Sequence, residues 1–145
     1  MEHYMLDTNT ASYVIKDNPR CVRERMLQVP MASLCISAIT QAELLHGVAR
    51  RPEAKQLPRA VREFLLRIDI LPWDCDAAES YAKLRAHCER AGTPLGIMDM
   101  LIAAHAIAAG AMLVTNDCAF HRVGQDLRLV DWTQFDLDRR CNGHR

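Results

Sequence analysis

Four carboxylates in this chain are of the type and spacing that could share a divalent metal ion: Asp7, Glu43, Asp99 and Asp117. Asp99 is the only formally charged residue between Arg90 and Asp117, and it lies in an otherwise apolar run. An unpaired carboxylate in such surroundings costs on the order of several kcal/mol unless a partner neutralises it. The alternative is a surface-facing Asp near a helix N-terminus, where the helix dipole favours it.

Asp7 and Asp117 each come at or just after the end of an apolar run that is typical of a buried strand. The carboxyl ends of parallel strands line one crevice, where ligands bind, so both acids are expected at one edge of a sheet. Glu43, near the start of the next helix, could join them. Each acid also has a structural explanation, Asp7 and Asp117 as helix caps and Glu43 as the acid of a capping box begun by Thr40.

The chemistry that such a cluster supports is metal-assisted hydrolysis. Carboxylates that lie together repel one another unless a cation sits among them. Oxygen ligands select a hard ion, Mg²⁺ or Mn²⁺. Such an ion lowers the pKa of a bound water and stabilises charge on a phosphodiester in transit. The expected reaction is therefore in-line attack by water on a phosphodiester, with no Ser or Cys nucleophile.

The elements that must position these acids alternate along the chain. Apolar runs predict strands over residues 4–6, 33–39, 70–73, 111–114 and 127–130. Helical spacing and cap residues predict helices from Asn9 or Thr10, over 21–28, from Thr40 to Arg50, and over 57–68, 77–92 and 96–109. Strands alternating with helices predict a parallel sheet between two helix layers. We expect one domain over residues 1–135 and a polar tail over 136–145.

Composition limits the classes of partner. The chain has 18 basic and 18 acidic side chains, so its zero net charge does not support indiscriminate nucleic-acid binding, although a local basic face stays possible. Arg outnumbers Lys fifteen to three, which suits phosphate contacts but is equally explained by a GC-rich genome. Two arginine clusters could bind RNA phosphates or form a solvated face: Arg50 with Arg51, and Arg20 with Arg23 and Arg25.

The six cysteines include no C-x-x-C pair, which argues against a zinc ribbon. Cys35 and Cys88 lie among apolar residues and are expected to fill the core. We expect free thiols in a reducing cytoplasm, because the N-terminus does not resemble a signal peptide. The longest uncharged stretches are interrupted by Asp99, Gly and Pro, so no membrane span is expected.

Other residues that could carry chemistry have simpler explanations. Glu43 and His46 have the spacing of a carboxylate–histidine metal pair, but a second such pair is missing, so His46 is expected at the surface. His105 lies on an apolar helix and is expected to be a core histidine rather than a general base. Trp73 and Trp132 could stack on a base, but packing is the expected role.

Four segments, in this order along the chain, resemble the motifs of PIN-domain ribonucleases: Met5–Asn9, Ile36–Leu44, Gly96–Ala106, and Val114–Asp117 with Phe120. The resemblance covers residues 1–132 and is greatest to the VapC toxins of bacterial toxin–antitoxin pairs. The end of the chain, from Arg122 to Trp132, is similar to members that act on initiator tRNA.

The resemblance implies a PIN-like three-layer α/β/α sandwich around a central, mostly parallel sheet. It also implies an endoribonuclease that binds Mg²⁺ or Mn²⁺ through Asp7, Glu43, Asp99 and Asp117, with five supporting residues, namely Thr8, Asn9, Ser37, Thr115 and Asn116. The implied partners are RNA, with tRNA expected, a VapB-like antitoxin over the active site, and a second copy of the chain in a homodimer. Ala119 departs from the family pattern, because many members have an acid there, and this puts a second metal in doubt.

Two other classes of function remain open from the residues. The first is a non-catalytic or DNA-tethered PIN binding module, which the four intact acids argue against. The second is a phosphotransfer domain, since Asp7 follows a strand as a phospho-acceptor does. A receiver domain needs paired early acids and a late Lys at a strand end, and an aspartyl-phosphate phosphatase needs an acid where this chain has Asn9. Neither pattern is present in the sequence.

Overall fold

A computed structural model of the chain describes residues 1–124 and 126–134. Strands and helices alternate as predicted, in the order β1 (Tyr4–Leu6), α1 (Thr8–Lys16), α2 (Arg20–Leu27), β2 (Leu34–Ser37), α3 (Ala38–Ala49), α4 (Gln56–Arg67), β3 (Asp69–Leu71), α5 (Cys75–Ala91), α6 (Ile97–Ala109), β4 (Met112–Val114) and β5 (Leu129–Val130). Short 3₁₀ helices cover Met31–Ser33 and Cys118–Arg122.

The five strands form one sheet in the order β3-β2-β1-β4-β5, and every neighbouring pair is parallel. The chain moves from β1 outward to β3 and then returns to the other side of β1, so β1 and β4 flank the point where the strand order reverses. Leu6 of β1 is level with Ile36 of β2 and with Val114 of β4. The residues that follow these three strands therefore reach the same edge of the sheet.

Helices cover both faces of the sheet, as the predicted three-layer sandwich requires. Successive strand residues point to opposite faces. Met5 and Leu113 pack with the layer formed by α5 and α6. Leu6, Ile36 and Val114 pack on the other face with the layer of α1, α2, α3 and α4.

The start of α3 differs from the sequence prediction. The second strand ends at Ser37, and α3 begins at Ala38, so the predicted strand to Ile39 and the predicted cap at Thr40 were wrong. The Ser37 hydroxyl accepts a hydrogen bond from the Ile39 N–H at 3.1 Å and is the true N-cap. Apolar Ala38 and Ile39 continue the hydrophobic run of the strand, which hides the turn into the helix.

Several packing predictions were confirmed. Cys35 and Cys88 are buried, and the five cysteines within the described ranges are free thiols, while Cys141 lies outside them. Trp132 is buried, and its ring centroid lies 5.6 Å from that of Tyr4. The Trp73 indole N–H donates to the Leu101 carbonyl at 3.0 Å.

Two expectations about the ends of the chain concern residues beyond the described part. The predicted domain end at residue 135 and the predicted polar tail over 136–145 both lie outside it. Among the helices of residues 1–124 and 126–134, none has the length and apolar character needed to cross a membrane.

Candidate active site

Asp7 is the first residue after β1 and is only 3% exposed. Its Oδ1 accepts a hydrogen bond from the Thr10 N–H at 2.8 Å, which caps α1. Its own N–H donates to the Val114 carbonyl at 3.1 Å, and the Thr10 hydroxyl donates to the same carbonyl at 2.9 Å. Asp7 is therefore held between β1 and β4, at the point where the strand order reverses.

Thr115 connects Asp7 to Asp117. Thr115 is buried directly after β4, and its side chain favours the charged form of the Asp7 carboxylate, which lowers the pKa of that acid. Its Oγ1 accepts from the Asp117 N–H at 3.1 Å, and Asp117 Oδ1 accepts from the Ala119 N–H at 2.9 Å. Asp117 thus caps the 3₁₀ helix Cys118–Arg122 and is oriented on the Asp7 side of the crevice.

Glu43 lies in the second turn of α3 and is half-buried. Its Oε1 accepts a hydrogen bond of 2.6 Å from the Thr8 hydroxyl at the start of α1. This contact shows that the capping-box explanation of Glu43 was wrong, because the carboxylate reaches across to α1 instead of back to its own helix start. The Thr8 hydroxyl also lies 3.4 Å from the Thr40 hydroxyl.

Asp99 lies in the first turn of α6, and the other three acids act on it electrostatically. Its pKa is raised to about 6, first because burial disfavours its charge and then because the negative charges of Asp117, Glu43 and Asp7 repel it. A β-carbon at Gly96 would lie 3.6 Å from Asp99 Oδ2, which is an ordinary van der Waals contact. The structure therefore brings all four predicted acids into one electrostatic neighbourhood.

Burial also raises the pKa of Asp7. Hydrogen bonds from Thr115 and Thr10 oppose that rise, and the charge of Asp117 adds to it. Both shifts have the direction expected for carboxylates that lie together without a bound cation. The ion pairs Arg85–Glu89 and Arg128–Glu2 do not involve these acids.

The four acids fit a divalent cation in donor type and in charge. All the donors are carboxylate oxygens, which hard cations prefer, and their repulsion is of the kind that a cation relieves. Within residues 1–124 and 126–134, however, no three His, Cys, Asp or Glu side chains are placed so that they could hold a metal ion. The side chains therefore do not form a finished metal cage in this conformation.

Of the five predicted supporting residues, two contact the acids and three do not. Thr8 and Thr115 contact the acids directly, as described above. Asn9 and Asn116 are exposed, and the Asn116 amide donates to the Tyr13 hydroxyl at 3.1 Å. Ser37 is fully buried and is bonded to His105. Whether any of the five supports a metal stays a prediction.

Sequence reasoning missed three neighbours of the site, namely Thr10, Tyr13 and Thr40. Thr10 could have been found, because a capping Asp bonds an N–H two or three residues later. Nothing in the sequence placed Tyr13 beside Asn116, since 103 residues separate them. The histidine predictions agree with the structure: His46 is exposed and His105 is 3% exposed.

The sequence matches the PIN domain family over residues 4–126, which includes all four acids. PIN domains are nuclease domains, and PIN nucleases generally use divalent metal ions. The fold and the site therefore define the class of protein as a PIN-domain nuclease.

Related proteins show which group of PIN-domain nucleases the chain belongs to. The chain is 38% identical to the curated tRNA(fMet)-specific endonuclease VapC of Shigella flexneri over 92% of this chain and 100% of that protein. Two solved complexes are similar in structure. VapBC2 from Rickettsia felis, bound to a DNA fragment from its promoter, has a TM-score of 0.81 and 35% identity, covering 89% of this chain and 98% of that one. DNA-bound VapBC from Salmonella typhimurium has a TM-score of 0.80 and 37% identity, covering 91% of this chain and 99% of that one. The chain belongs to the VapC ribonucleases within the PIN-domain family.

Proposed function

We propose that this protein is the toxin of a type II toxin–antitoxin pair and a Mg²⁺- or Mn²⁺-dependent endoribonuclease that hydrolyses RNA phosphodiester bonds, with initiator tRNA as its substrate. The observation that carries the proposal is the gathering of four carboxylates at the switch point of a parallel sheet, where burial first, and then the negative charges of Asp117, Glu43 and Asp7, raise the pKa of Asp99 to about 6. The substrate is proposed from the similarity to the Shigella enzyme, which is named for tRNA(fMet).

In this proposal Asp7, Glu43, Asp99 and Asp117 would hold the cation. The cation supplies an activated water and stabilises negative charge on the phosphate. Thr115 orients Asp7 through its hydrogen bond to that carboxylate. The Thr8 hydroxyl donates a hydrogen bond to Glu43 Oε1, so Oε2 of the same carboxylate would be the atom that binds the cation. These contacts hold the carboxylates in place before the substrate arrives.

The segment from Asp117 to Phe120 carries one acid, Asp117, where many family members carry two. Ala119 stands at the position of the missing acid, and its N–H donates to Asp117 Oδ1. Asp117 is therefore the carboxylate through which this segment reaches the cation. For this reason we propose that this segment would supply a ligand to one metal ion rather than to two.

The proposed protein partners are a VapB-like antitoxin and a second copy of the chain. Solved relatives of similar structure are VapBC complexes, which supports the antitoxin partner. The homodimer is proposed from the family resemblance. We propose that the protein acts in the cytoplasm, which the proposed RNA substrate and antitoxin support.

The test is cleavage of purified RNA by purified protein, with the 5′ ends of the products sequenced. We expect initiator tRNA to be cut at one position with Mg²⁺ or Mn²⁺ present, and elongator methionine tRNA, the matched control, to remain intact. Asp7→Asn should leave both RNAs uncut. RNA that is bound but not cut by the parent protein with Mn²⁺ present would instead support a non-catalytic binding module.

A further inference from the structure

One buried polar contact joins two helices that carry the acids. The Ser37 hydroxyl oxygen and His105 Nδ1 are 2.7 Å apart, although 68 residues separate them in the chain. Ser37 is 0% exposed and His105 is 3% exposed. Ser37 ends β2 and caps α3, while His105 lies in the middle of α6. The contact therefore connects the start of α3 to the middle of α6.

The surrounding groups favour the Ser37 hydroxyl as the donor of this hydrogen bond. Ser37 Oγ already accepts from the Ile39 N–H at 3.1 Å, so its own proton is available to His105 Nδ1. Burial lowers the pKa of His105, and the charge of Asp74 opposes that effect only in part, so the ring is neutral at neutral pH. The tautomer with the ring proton on Nε2, in which Nδ1 accepts from the Ser37 hydroxyl, fits these contacts.

The contact is unusual for its position in the core. The neighbours of His105 along α6 include Ile102, Ala103, Ala104 and Ala106, all fully buried and apolar. An apolar side chain at residue 105 would fill such a site without the need to satisfy two ring nitrogens. A hydrogen bond differs from apolar packing in being directional, so it fixes how the two helices are rotated and spaced relative to each other.

The relative orientation of α3 and α6 decides how far apart Glu43 and Asp99 lie. Glu43 comes six residues after Ser37 on α3, and Asp99 comes six residues before His105 on α6. Six helical residues span about 9 Å, so a tilt of about 5° between the helices would move either carboxylate by about 0.8 Å. A displacement of that size is large for metal coordination, where ligand distances are set within about 0.2 Å.

We propose that the hydrogen bond between Ser37 and His105 is a positioning link that sets the spacing of Glu43 and Asp99 across the candidate metal site. This inference rests on the proposed function, because it assumes that these acids bind a divalent cation. Ser37 and His105 are positioning residues in it, since neither touches the acids. Removing the link should weaken metal binding roughly tenfold, the lower end of what outer-shell partners contribute.

The test uses full-length protein and measures Mn²⁺ binding by calorimetry without RNA, together with unfolding in urea and RNA cleavage. His105→Leu removes the acceptor, and Ser37→Ala tests the same link independently should the leucine variant fail to fold. His105→Asn is the conservative variant, because Asn Oδ1 lies as many bonds from Cα as His Nδ1. Ser33→Ala is the matched control: Ser33 is 1% exposed, just before β2, and its hydroxyl donates to the Pro30 carbonyl at 2.6 Å.

We expect Mn²⁺ binding to be about tenfold weaker in His105→Leu and in Ser37→Ala, mostly restored in His105→Asn, and unchanged in Ser33→Ala. The double variant should bind no more weakly than the worse single variant, because both remove one link. Stability loss in His105→Leu and Ser37→Ala with parent-like Mn²⁺ binding would overturn the inference and leave only a structural role. A parent protein that binds no Mn²⁺ would overturn the proposed function itself, which is a separate result.

Discussion

Asp7 is at once a helix cap and one of the clustered acids. Its Oδ1 accepts from the Thr10 N–H, and its carboxylate also lies in the field of Asp117. An asparagine can serve as the cap equally well, but it carries no charge. The two roles of this one side chain can therefore be separated by mutation.

We predict that Asp7→Asn and Asp7→Ala both abolish RNA cleavage but differ in stability. Asp7→Asn keeps the cap and removes a buried charge, so its free energy of unfolding in the metal-free protein should equal or exceed that of the parent. Asp7→Ala also loses the cap and should be about 1 kcal/mol less stable than Asp7→Asn. Urea unfolding in EDTA measures the difference. Parent-like cleavage by Asp7→Asn would rule this residue out as a metal ligand.

Asp99 makes the stability of the metal-free protein depend on pH. Its pKa in the folded protein is about 6, above the ordinary 3.8, so the folded state binds the proton more tightly than the unfolded state does. The stabilisation is fully present below pH 4 and is lost as the pH rises toward 6 and beyond. Asp99 alone therefore lowers the free energy of unfolding over that interval.

We predict that Asp99→Asn raises the free energy of unfolding at pH 7 in EDTA by about 1–2 kcal/mol, a value reduced for the solvent that still reaches this partly exposed carboxylate. The gain should disappear at pH 4. The matched control is Asp76→Asn, an exposed acid in the first turn of α5, as Asp99 is in that of α6. The control should be slightly destabilised, because the helix dipole favours an acid there. Equal effects of the two substitutions would mean that repulsion within the cluster is weak.

At the scale of elements, the α3 start shows what the sequence could and could not predict. Alternation of apolar runs located all five strands of the described sheet, because such runs report burial directly. The exact turn from β2 into α3 was misplaced by about three residues, because Ser37 and Thr40 are both good caps and apolar residues lie between them. The residue types alone do not decide which of two possible caps is used, and in the structure the cap Ser37 also contacts His105, 68 residues away in the chain.

The partners of Glu43 show the same limit within the site. The sequence placed Glu43 near a helix start, which was correct, but assigned its hydrogen bond to its own helix. Its partner is the Thr8 hydroxyl, 35 residues away. That contact exists because α1 and α3 pack on the same face of the sheet, which a pattern of residue types does not reveal.

Alanine substitutions at two glycines, one within α3 and one at the end of α6, are predicted to change the free energy of unfolding in opposite directions. Gly47 lies within α3, and a β-carbon added there would meet no other atom within 4 Å, so Gly47→Ala should raise the free energy of unfolding by about 0.5–1 kcal/mol. Gly110 ends α6 at φ +64, so Gly110→Ala should lower it by about 1 kcal/mol. Urea unfolding of both variants measures this. Two changes of the same sign would show that the conformation at one of these helix positions differs from that described.

At the scale of the whole molecule, strand order is what brings the acids together. Alternating elements predict a parallel sheet but not the order β3-β2-β1-β4-β5. The observed order places β1 beside β4, and the acids that follow these strands, Asp7 and Asp117, at the same edge of the sheet. The residue pattern predicted that the acids meet at one edge of the sheet, but it did not predict the strand order, because that order is decided by the packing of whole layers.

The last prediction concerns the metal and the pH together. A carboxylate must be ionised to bind a cation, so at subsaturating Mn²⁺ both Mn²⁺ binding and RNA cleavage should rise between pH 5 and pH 7, with a midpoint near the Asp99 pKa of about 6. At saturating Mn²⁺ the midpoint should move to lower pH, because the cation competes with the proton.

Removal of metal with EDTA should abolish cleavage at every pH, and added Mn²⁺ should restore it. The control is RNA binding by Asp7→Asn over the same pH range, which separates metal-dependent chemistry from changes in RNA affinity. Cleavage that persists after exhaustive chelation would contradict a metal-dependent mechanism, whereas a midpoint unaffected by Mn²⁺ concentration would show that a group other than these carboxylates titrates.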